Sequence, residues 1–480
     1  MNRRMIFNTL GRMLIALAAL FILPIGVSLY YKEACITAFL IAAIISLVLG
    51  VLLTVFSRPL THVIYAREGF AIVALVWLAM SSLGALPFVI SGEIPSFVDA
   101  WFETVSGFTT TGASILRDIE AMSRGLLFWR SFTHWIGGMG VLVFVMALIP
   151  NVSDRSIHIL RAEVPGPIVG KLVPRIKDTA KILYLIYIVM TVIEIVLLLL
   201  GGMPFFDSVV HTFGTAGTGG FGIKADSVAG YSPYLQWVIA IFMLLFGINF
   251  NLYYMLLIRK FKLAFRSSEL WCYTGIVVLS VAAICVNIYP LYKNFSEVLR
   301  LSFFQVSSII TTTGYTTADF NLWPDFSKTI LLILMFVGAC AGSTAGGLKV
   351  SRVVLIFKII GREIRRLIHP RSVSAVKFEG KGVDGAVLGT VTTYFAVYMA
   401  CLFSVFLVLS MEPFGFETNF SAAVSCFNNV GPGFGGVGPI ESYANYSALS
   451  KIVLSLAMLL GRLEIYPLLL VFIPSLWKKD

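Results

Sequence analysis

Long apolar runs constrain this sequence more than any other feature, because about 20 apolar residues in a helix suffice to cross the hydrocarbon core of a bilayer. With 58% hydrophobic and only 13% charged residues, the chain has too little polar surface to enclose a soluble core. We therefore predict an all-α polytopic membrane protein. About ten runs are candidate spans, at roughly 10–31, 36–56, 70–91, 128–150, 182–203, 235–258, 270–290, 327–348, 388–411 and 449–474.

The distribution of basic residues predicts how the chain is oriented. Lys and Arg cluster at 151–181 and 349–381, whereas the loops on the other side carry more Asp and Glu. Short loops rich in Lys and Arg remain in the cytoplasm, so both termini are predicted to be cytoplasmic. The net charge of +11 is then a signal of topology, and no nucleic-acid partner is expected. The six cysteines show no metal-ligand spacing.

A short polar phrase occurs four times between apolar runs. Its copies are SGFTTTGAS (106–114), HTFGTAGTGGFG (211–222), SIITTTGYTTADF (308–320) and SCFNNVGPGFG (425–435). Alignment on one glycine in each copy gives four cores: Thr110, Thr111 and Gly112; Gly217, Thr218 and Gly219; Thr312, Thr313 and Gly314; and Asn429, Val430 and Gly431. In this alignment Gly217 occupies the place of Thr110 and Thr312.

The segment before each phrase is too short to span a bilayer, as at 95–108 and 294–310. A half-helix followed by extended backbone is tolerated at membrane depth only where it lines a cavity or is buried in protein. Glycine permits unusual φ values, and successive carbonyls can replace the hydration shell of a cation. The negative C-terminal end of each half-helix also favours cations. Four such phrases therefore predict a cation pore.

The layout divides the chain into five parts. Two additional N-terminal transmembrane helices are predicted at 1–60, followed by four units that each contain a helix, a half-helix, the phrase and another helix. The predicted units are 61–181, 182–268, 269–387 and 388–480.

Two features of the later spans have alternative interpretations. Gly338, Gly342 and Gly346 are four residues apart, a spacing typical of close helix packing, but the density of small residues at 338–347 also suits a helix that unwinds within the membrane. Arg462 lies deep in the last run, so we expect it to face a cavity or a partner; the alternative is that it extends to the membrane surface.

Four other polar residues lie within apolar runs. Arg130 and His134 are predicted to be anchors at the outer membrane interface. Asn249 and Asn251 are predicted either to hydrogen-bond across helices or to line the cavity. Neither a phosphate-binding loop nor a dinucleotide fingerprint occurs, so no nucleotide is expected to bind this chain.

The four units, their cores and the stretch GACAGSTAGGLKVSR (338–352) resemble the TrkH family, the membrane subunits of bacterial Trk potassium uptake systems, in the superfamily of the Ktr and plant HKT transporters. The resemblance covers essentially the whole chain. It implies uptake of K⁺ across the bacterial inner membrane, through a filter in which all four aligned glycines favour potassium. Fewer than four hydroxyl ligands are expected at its inner end. The implied K⁺ ligands are Thr111, Gly112, Thr218, Gly219, Thr313, Gly314, Val430 and Gly431.

The resemblance also implies a gate and partners. An intramembrane loop beneath the filter would close the pore together with an arginine that projects into it. The implied gate residues are Gly338, Gly342, Ser343, Thr344, Gly346, Gly347 and Arg462. A homodimer is implied, in contact with membrane lipid and with a separate cytosolic ring of the TrkA type that binds NAD(H) or ATP.

Other functions remain open from the residues alone. A sodium-permeable transporter of the same superfamily is the first alternative. A secondary transporter of an organic solute would require inverted repeats, whereas the four units run in the same direction. An enzyme is not indicated, because no acid/base or metal-binding cluster is evident in the sequence.

Overall fold

The computed structural model describes residues 2–59, 66–140, 176–371 and 375–477, and these segments are mostly helical. A single short hairpin, Lys377–Phe378 with Lys381–Gly382, is the strand pairing in the described residues. Six helices in them are long and apolar enough to cross a membrane. The prediction of an all-α polytopic membrane protein is confirmed. The basic segment 151–175 and residues 141–150 of the run 128–150 lie outside the described residues.

The N-terminal part contains two apolar spans, one of which is divided at Phe21. Its helices are α1 Arg3–Leu20, α2 Ile22–Tyr31 and α3 Ile36–Phe56. Gly11 of α1 lies directly against Gly50 of α3, since a Cβ atom on Gly11 would be 2.6 Å from the Gly50 carbonyl oxygen. Small residues at this crossing allow the close helix approach typical of membrane proteins.

Each of the four units begins with an apolar helix. These helices are α4 Ala66–Gly84, continued by α5 Leu86–Ser91, then α8 Ile176–Leu200, α13 Ser268–Tyr292 and α17 Gly385–Leu409. A shorter helix precedes each polar phrase: α6 Phe97–Phe108, α9 Phe205–Gly217, α14 Phe295–Ile310 and α18 Phe416–Phe427. At 12 to 16 residues these are half-helices, too short to span a bilayer.

The second long helix differs from the prediction in the second, third and fourth units, because it is interrupted; in the first unit residues 141–175 lie outside the described part of the chain. In the first unit, α7 covers Arg124–Gly138. In the second, α10 (Pro233–Phe246) and α11 (Phe250–Leu257) meet at an angle of 90°. The later helices are likewise divided, and the parts are α10 Pro233–Phe246, α11 Phe250–Leu257, α12 Phe261–Ala264, α15 Asp325–Val337, α16 Val350–Ile368, α19 Ala448–Arg462 and α20 Tyr466–Val471.

None of the candidate spans at 235–258, 327–348 and 449–474 is therefore one continuous helix. Backbone conformation explains two of the breaks: Gly338 has a φ of 69°, and Glu464 and Ile465 have φ values of 58° and 65°. Such left-handed residues cannot continue a right-handed helix. The unwound stretch favoured for 338–347 is present and extends to Lys349.

Candidate functional site

The four polar phrases share one backbone shape. Left-handed φ values occur at Thr110 (55°), Thr218 (56°), Thr312 (55°) and Asn429 (58°), and again two residues later at Gly112 (83°), Gly220 (74°), Gly314 (85°) and Gly431 (103°). A non-glycine residue rarely adopts this conformation, which costs about 1–3 kcal/mol. Strain repeated at four matched positions marks these segments as a candidate functional site. We call 109–112, 217–220, 311–314 and 428–431 the ring segments.

Hydrogen bonds give the same equivalence. In every ring segment the third residue donates its N–H to a carbonyl oxygen five residues earlier. The four bonds join Thr111 to Ser106 (2.9 Å), Gly219 to Gly214 (2.8 Å), Thr313 to Ser308 (2.8 Å) and Val430 to Ser425 (2.9 Å). Each half-helix thus ends in the same turn, and the ring segments begin from equivalent positions.

This equivalence corrects the sequence alignment of the second core by one residue. Gly220, not Gly219, corresponds to Gly112, and Thr218, not Gly217, stands in the place of Thr110. The stretch GTGG contains three glycines, so glycine spacing alone left its register ambiguous. The second position of the ring segments, which we call the inner position, consequently carries three threonines (Thr110, Thr218 and Thr312) and Asn429.

The ring segments close on one another in chain order. Each ring segment ends in a glycine. A Cβ atom added to that glycine would lie 2.6 Å or less from the carbonyl oxygen of the third residue of the next ring segment. The contacts run from Gly112 to Gly219, from Gly220 to Thr313, from Gly314 to Val430 and from Gly431 back to Thr111. Only glycine fits at these positions, both for space and for φ.

The same four glycines line one cavity of about 90 Å³ on the side of the ring away from the 338–349 loop. Its wall also contains Arg130, Lys224 and Glu441. Gly219 does not line it, in agreement with the corrected register.

Arg130 and His134 of α7 are buried behind the ring, and their prediction as interface anchors is wrong. Arg130 pairs with Glu103 at 2.5 Å, and its guanidinium lies 3.7 Å from the ring centroid of Phe221. His134 Nδ1 donates to the Gly107 carbonyl (2.7 Å), while its Nε2 accepts the Phe221 N–H (3.3 Å). Because Nε2 accepts a hydrogen bond, the imidazole is neutral in this arrangement.

The 338–349 loop lies immediately beside the ring, on the opposite side from the cavity. The Gly346 N–H donates to Thr312 Oγ1 at 2.7 Å. A Cβ atom on Gly346 would overlap the Asn428 carbonyl oxygen. The loop therefore contacts Thr312 in the third ring segment and Asn428 in the fourth ring segment.

The loop also contacts the break between α10 and α11. Phe250 donates its N–H to the Gly342 carbonyl (3.0 Å), and Cys340 donates to the Gly247 carbonyl (3.1 Å). Asn249 lies against Gly342, since a Cβ atom there would be 3.1 Å from Asn249 Oδ1. Of the two predicted asparagines, Asn249 is thus the one at the loop.

Arg462 joins the loop to α7. Its guanidinium donates to the Thr344 carbonyl (2.7 Å), to the Gly138 carbonyl (2.8 Å) and to the Gly137 carbonyl. It faces protein rather than the membrane surface, so the alternative of an extension to the surface is excluded. The loop, α7 and the end of α19 meet at this side chain.

Both ends of the loop are fastened by carboxylates. Glu269 of α13 accepts the N–H groups of Ala341, near the start of the loop (2.7 Å), and Ser351, just after its end (3.1 Å). Glu464 pairs with Arg352, which also lies 4.0 Å from the ring centroid of Tyr394. These contacts were not evident in the sequence, because each joins residues far apart in the chain.

The predicted gate residues occupy one connected region. Ser343 donates its hydroxyl to the Cys340 carbonyl (2.7 Å), and Thr344 donates its hydroxyl to the Phe246 carbonyl (3.3 Å). Gly338 and Gly347 pack on each other, with a Cβ atom on Gly347 at 2.9 Å from the Gly338 Cα. The loop closes on itself and is wedged between the ring and the broken helices.

Comparisons with known proteins agree over the whole chain. The TrkH family, described as a cation transport protein, matches residues 35–479. A Trk system potassium uptake protein TrkH from Salmonella typhimurium is 37% identical, with 100% of both chains covered. A Trk system potassium uptake protein TrkG from Escherichia coli is 35% identical over 95% of this chain and 94% of that one.

A solved structure is also similar. The crystal structure of the potassium transporter TrkH from Vibrio parahaemolyticus matches with a TM-score of 0.89 and 32% sequence identity, covering 100% of both chains. The likeness thus extends to the three-dimensional arrangement of the helices.

Proposed function

The chain belongs to the TrkH family of cation transport proteins, and on that premise we propose that it takes up K⁺ across the bacterial inner membrane through the ring. Its relatives are named as potassium uptake proteins, not enzymes. The observation that carries the proposal is the closed contact of Gly112, Gly220, Gly314 and Gly431 with neighbouring carbonyls.

Alternating φ signs along a ring segment support carbonyl coordination. Left-handed residues at the second and fourth positions turn successive carbonyls toward the same side of the chain. Four such rows around one axis supply oxygens that replace the water shell of a dehydrated cation. In the corrected register, the proposed ligands of the second unit are Thr218, Gly219 and Gly220, while the other units keep the residues predicted from the sequence.

Flux into liposomes tests this function directly. Purified protein should admit K⁺ without any organic substrate and in preference to Na⁺. Gly112→Ser should raise Na⁺ permeability relative to K⁺, because the side chain intrudes on the Gly219 carbonyl. Equal Na⁺ and K⁺ permeability in the unmodified protein would favour the sodium-permeable alternative, and a requirement for an organic solute would favour the secondary transporter.

We further propose that the 338–349 loop is the gate. It occupies the space directly beneath the ring, and no continuous helix passes through it. Its attachments to the breaks in the second and fourth units allow movement of those helices to displace it. In this proposal the glycines allow the loop to move. The alternative is that they only allow close packing of the neighbouring elements.

Arg462 offers the sharpest test of the gate. Arg462→Ala removes three hydrogen bonds to backbone carbonyls and a fixed positive charge, so K⁺ flux should rise several-fold with modest loss of selectivity. Arg462→Lys should be intermediate, and exposed Arg117→Ala is the matched control. If a folded Arg462→Ala shows unchanged or lower flux, the residue is a structural anchor and the gate assignment fails.

The remaining assignments concern the surroundings of the pore. Relatives named for the Trk system support a multi-component assembly. We propose a homodimer with cytoplasmic termini and a cytosolic regulatory ring of the TrkA type that binds NAD(H) or ATP. Exposed Lys358, Arg365 and Arg366 of α16 suit the docking of that ring. Loss of co-purification on combined charge reversal would support this surface, and unchanged co-purification would exclude it.

A further inference from the structure

An apolar groove lies where α2 crosses α7 and α9, near the ends at which the half-helices begin. Its volume is about 620 Å³, and its walls include Leu23, Gly26, Val27, Phe128, Phe206 and Val209. The groove separates an N-terminal helix from the half-helix of the second unit. It shares no residue with the ring or the 338–349 loop.

The groove opens to the bilayer. It lies along the candidate span Arg3–Tyr31, and Leu23 and Phe205 at its edges are 51% and 69% exposed. Side chains of this kind on a membrane-spanning surface face lipid hydrocarbon. An acyl chain is therefore the material that is present at the opening.

One end of the groove carries a cation. The Arg124 guanidinium carbon lies 4.6 Å from the ring centroid of Tyr31 and 5.4 Å from that of Phe206. The nearby Glu33 carboxylate accepts the backbone N–H groups of Arg124 (2.7 Å) and Gly125 (2.9 Å). Among the described residues, no carboxylate forms an ion pair with the Arg124 side chain.

We propose that this groove binds one anionic glycerophospholipid, with its phosphate at Arg124 and one acyl chain along Gly26 and Val27. A guanidinium presents a planar set of donors that matches phosphate oxygens. Two flanking aromatic rings hold it by cation–π contacts and leave its edge for the anion. Apolar contact alone selects little in a bilayer, because lipid tails are as apolar as the protein, so the headgroup contact provides the selectivity.

The bound lipid would connect the N-terminal helices to the ring. α7 starts at Arg124 and carries Arg130 and His134 ten residues or fewer further on, and α9 ends in the second ring segment. The lipid would thus fill a seam beside the elements that support the first and second units. Its leaflet is the outer one in the orientation predicted from the charges.

Native mass spectrometry of the intact protein, titrated with phosphatidylglycerol or phosphatidylcholine, tests the site. The unmodified protein should retain one phosphatidylglycerol in preference to phosphatidylcholine by about tenfold, the scale of one charge-assisted contact. Arg124→Gln should abolish that preference, and Arg124→Lys should keep part of it. Gly26→Trp should displace both lipids, since no atom lies within 4 Å of a Cβ atom there and the side chain can fill the groove.

Gly275→Trp is the matched control. Gly275 lies on α13, and a Cβ atom there likewise meets no atom within 4 Å. Equal lipid retention by the Gly26→Trp and Gly275→Trp proteins would overturn the proposal, as would an unchanged phosphatidylglycerol preference in Arg124→Gln. Conversion of a dimer to a monomer by Gly26→Trp, without loss of lipid, would instead assign the groove to a second copy and also overturn it.

Discussion

Two ring segments contain a pair of threonines and two do not. In the first and third, the hydroxyls of Thr109 and Thr111, and of Thr311 and Thr313, lie 2.8 Å apart. The corresponding positions in the second segment are both glycine, at Gly217 and Gly219. The segments with threonine pairs are supported from within, whereas the others need support from elsewhere.

Different neighbours supply that support. In the second segment, the ring of His134 fills the space beside Gly219, where a Cβ atom would overlap it. In the fourth, Tyr398 donates its hydroxyl to Asn428 Oδ1 (2.8 Å), and Asn429 Nδ2 donates to Thr111 Oγ1 (2.9 Å). Similar backbone shapes therefore arise from local hydrogen bonds in one pair of segments and from long-range packing in the other.

The largest expected effect comes from Gly220→Ala, which disturbs the left-handed backbone conformation that the second ring segment shares with the other three. Strain in the left-handed conformation and overlap with the Thr313 carbonyl should cost about 2 kcal/mol or more, enough to lower the K⁺/Na⁺ permeability ratio about 30-fold. Liposome flux measures the ratio. Gly222→Ala is the control, because its Cβ atom would have no neighbour closer than 3.6 Å. Unchanged selectivity in folded Gly220→Ala would contradict the corrected register.

His134→Ala should have the next largest effect, because it removes the support of the second segment. The substitution leaves a cavity and the buried Phe221 N–H without its partner, so we expect a loss of about 2–4 kcal/mol in stability and a lower K⁺/Na⁺ ratio. Thermal unfolding in detergent and liposome flux are the measurements. His134→Gln should recover part of both. A stable, fully selective His134→Ala protein would show that the second segment supports itself.

Tyr398→Phe tests the fourth segment more gently. It leaves Asn428 Oδ1 buried without the tyrosine hydroxyl, at a cost of about 1–3 kcal/mol. The K⁺/Na⁺ ratio should fall less than in His134→Ala, since no cavity forms. Phe395→Tyr, which adds a hydroxyl on the same helix without removing the hydrogen bond to Asn428, is the control. A larger loss of selectivity in Tyr398→Phe than in His134→Ala would mean that the Tyr398 hydrogen bond matters more to the ring than His134 does, contrary to our expectation.

Thr313→Val should have the smallest effect and sharpens the contrast. Thr311 still donates its hydroxyl to the Ser307 carbonyl (2.6 Å), so no buried donor is left unpaired. We expect a loss of about 1 kcal/mol or less and a nearly unchanged K⁺/Na⁺ ratio. Thr313→Ser keeps the hydroxyl and controls for the altered methyl group. A large loss of selectivity would mean that the threonine pair, not the backbone, determines the ring.

The same contrast explains what the sequence could predict. Thr312, Thr313 and Gly314 form a recognisable phrase because their support is local, and the first segment repeats it. The second segment lacks these side chains and is supported by His134 from another unit. Its sequence therefore carries no local signal, and its predicted register was wrong by one residue. Local sequence carries the signal where the stabilising contacts are local.

His134 could have been found from its depth. It is the seventh residue of the predicted run 128–150, about 9 Å from its start, where an ionisable side chain is already costly unless it has buried partners. The breaks after Phe246 and Arg462 had no comparable signal. Gly247 and Asn249 lie at the first break and Glu464 at the second, but these residues alone do not indicate a broken helix, because the broken backbone is stabilised by contacts with the distant 338–349 loop.

Closure of the ring also bears on the synthesis of the protein. The hydrogen bond from Asn429 to Thr111 joins residues 318 positions apart, and the adjacent contact of Gly431 completes the circle. During translation the first three units enter the membrane before the partner of Thr111 has been made. Domains synthesised earlier generally fold first, yet here the earliest segment must wait for the last one. A ribosome-bound chain that ends before residue 428 would therefore lack the fourth ring segment, so the ring cannot close until synthesis of the chain is nearly complete.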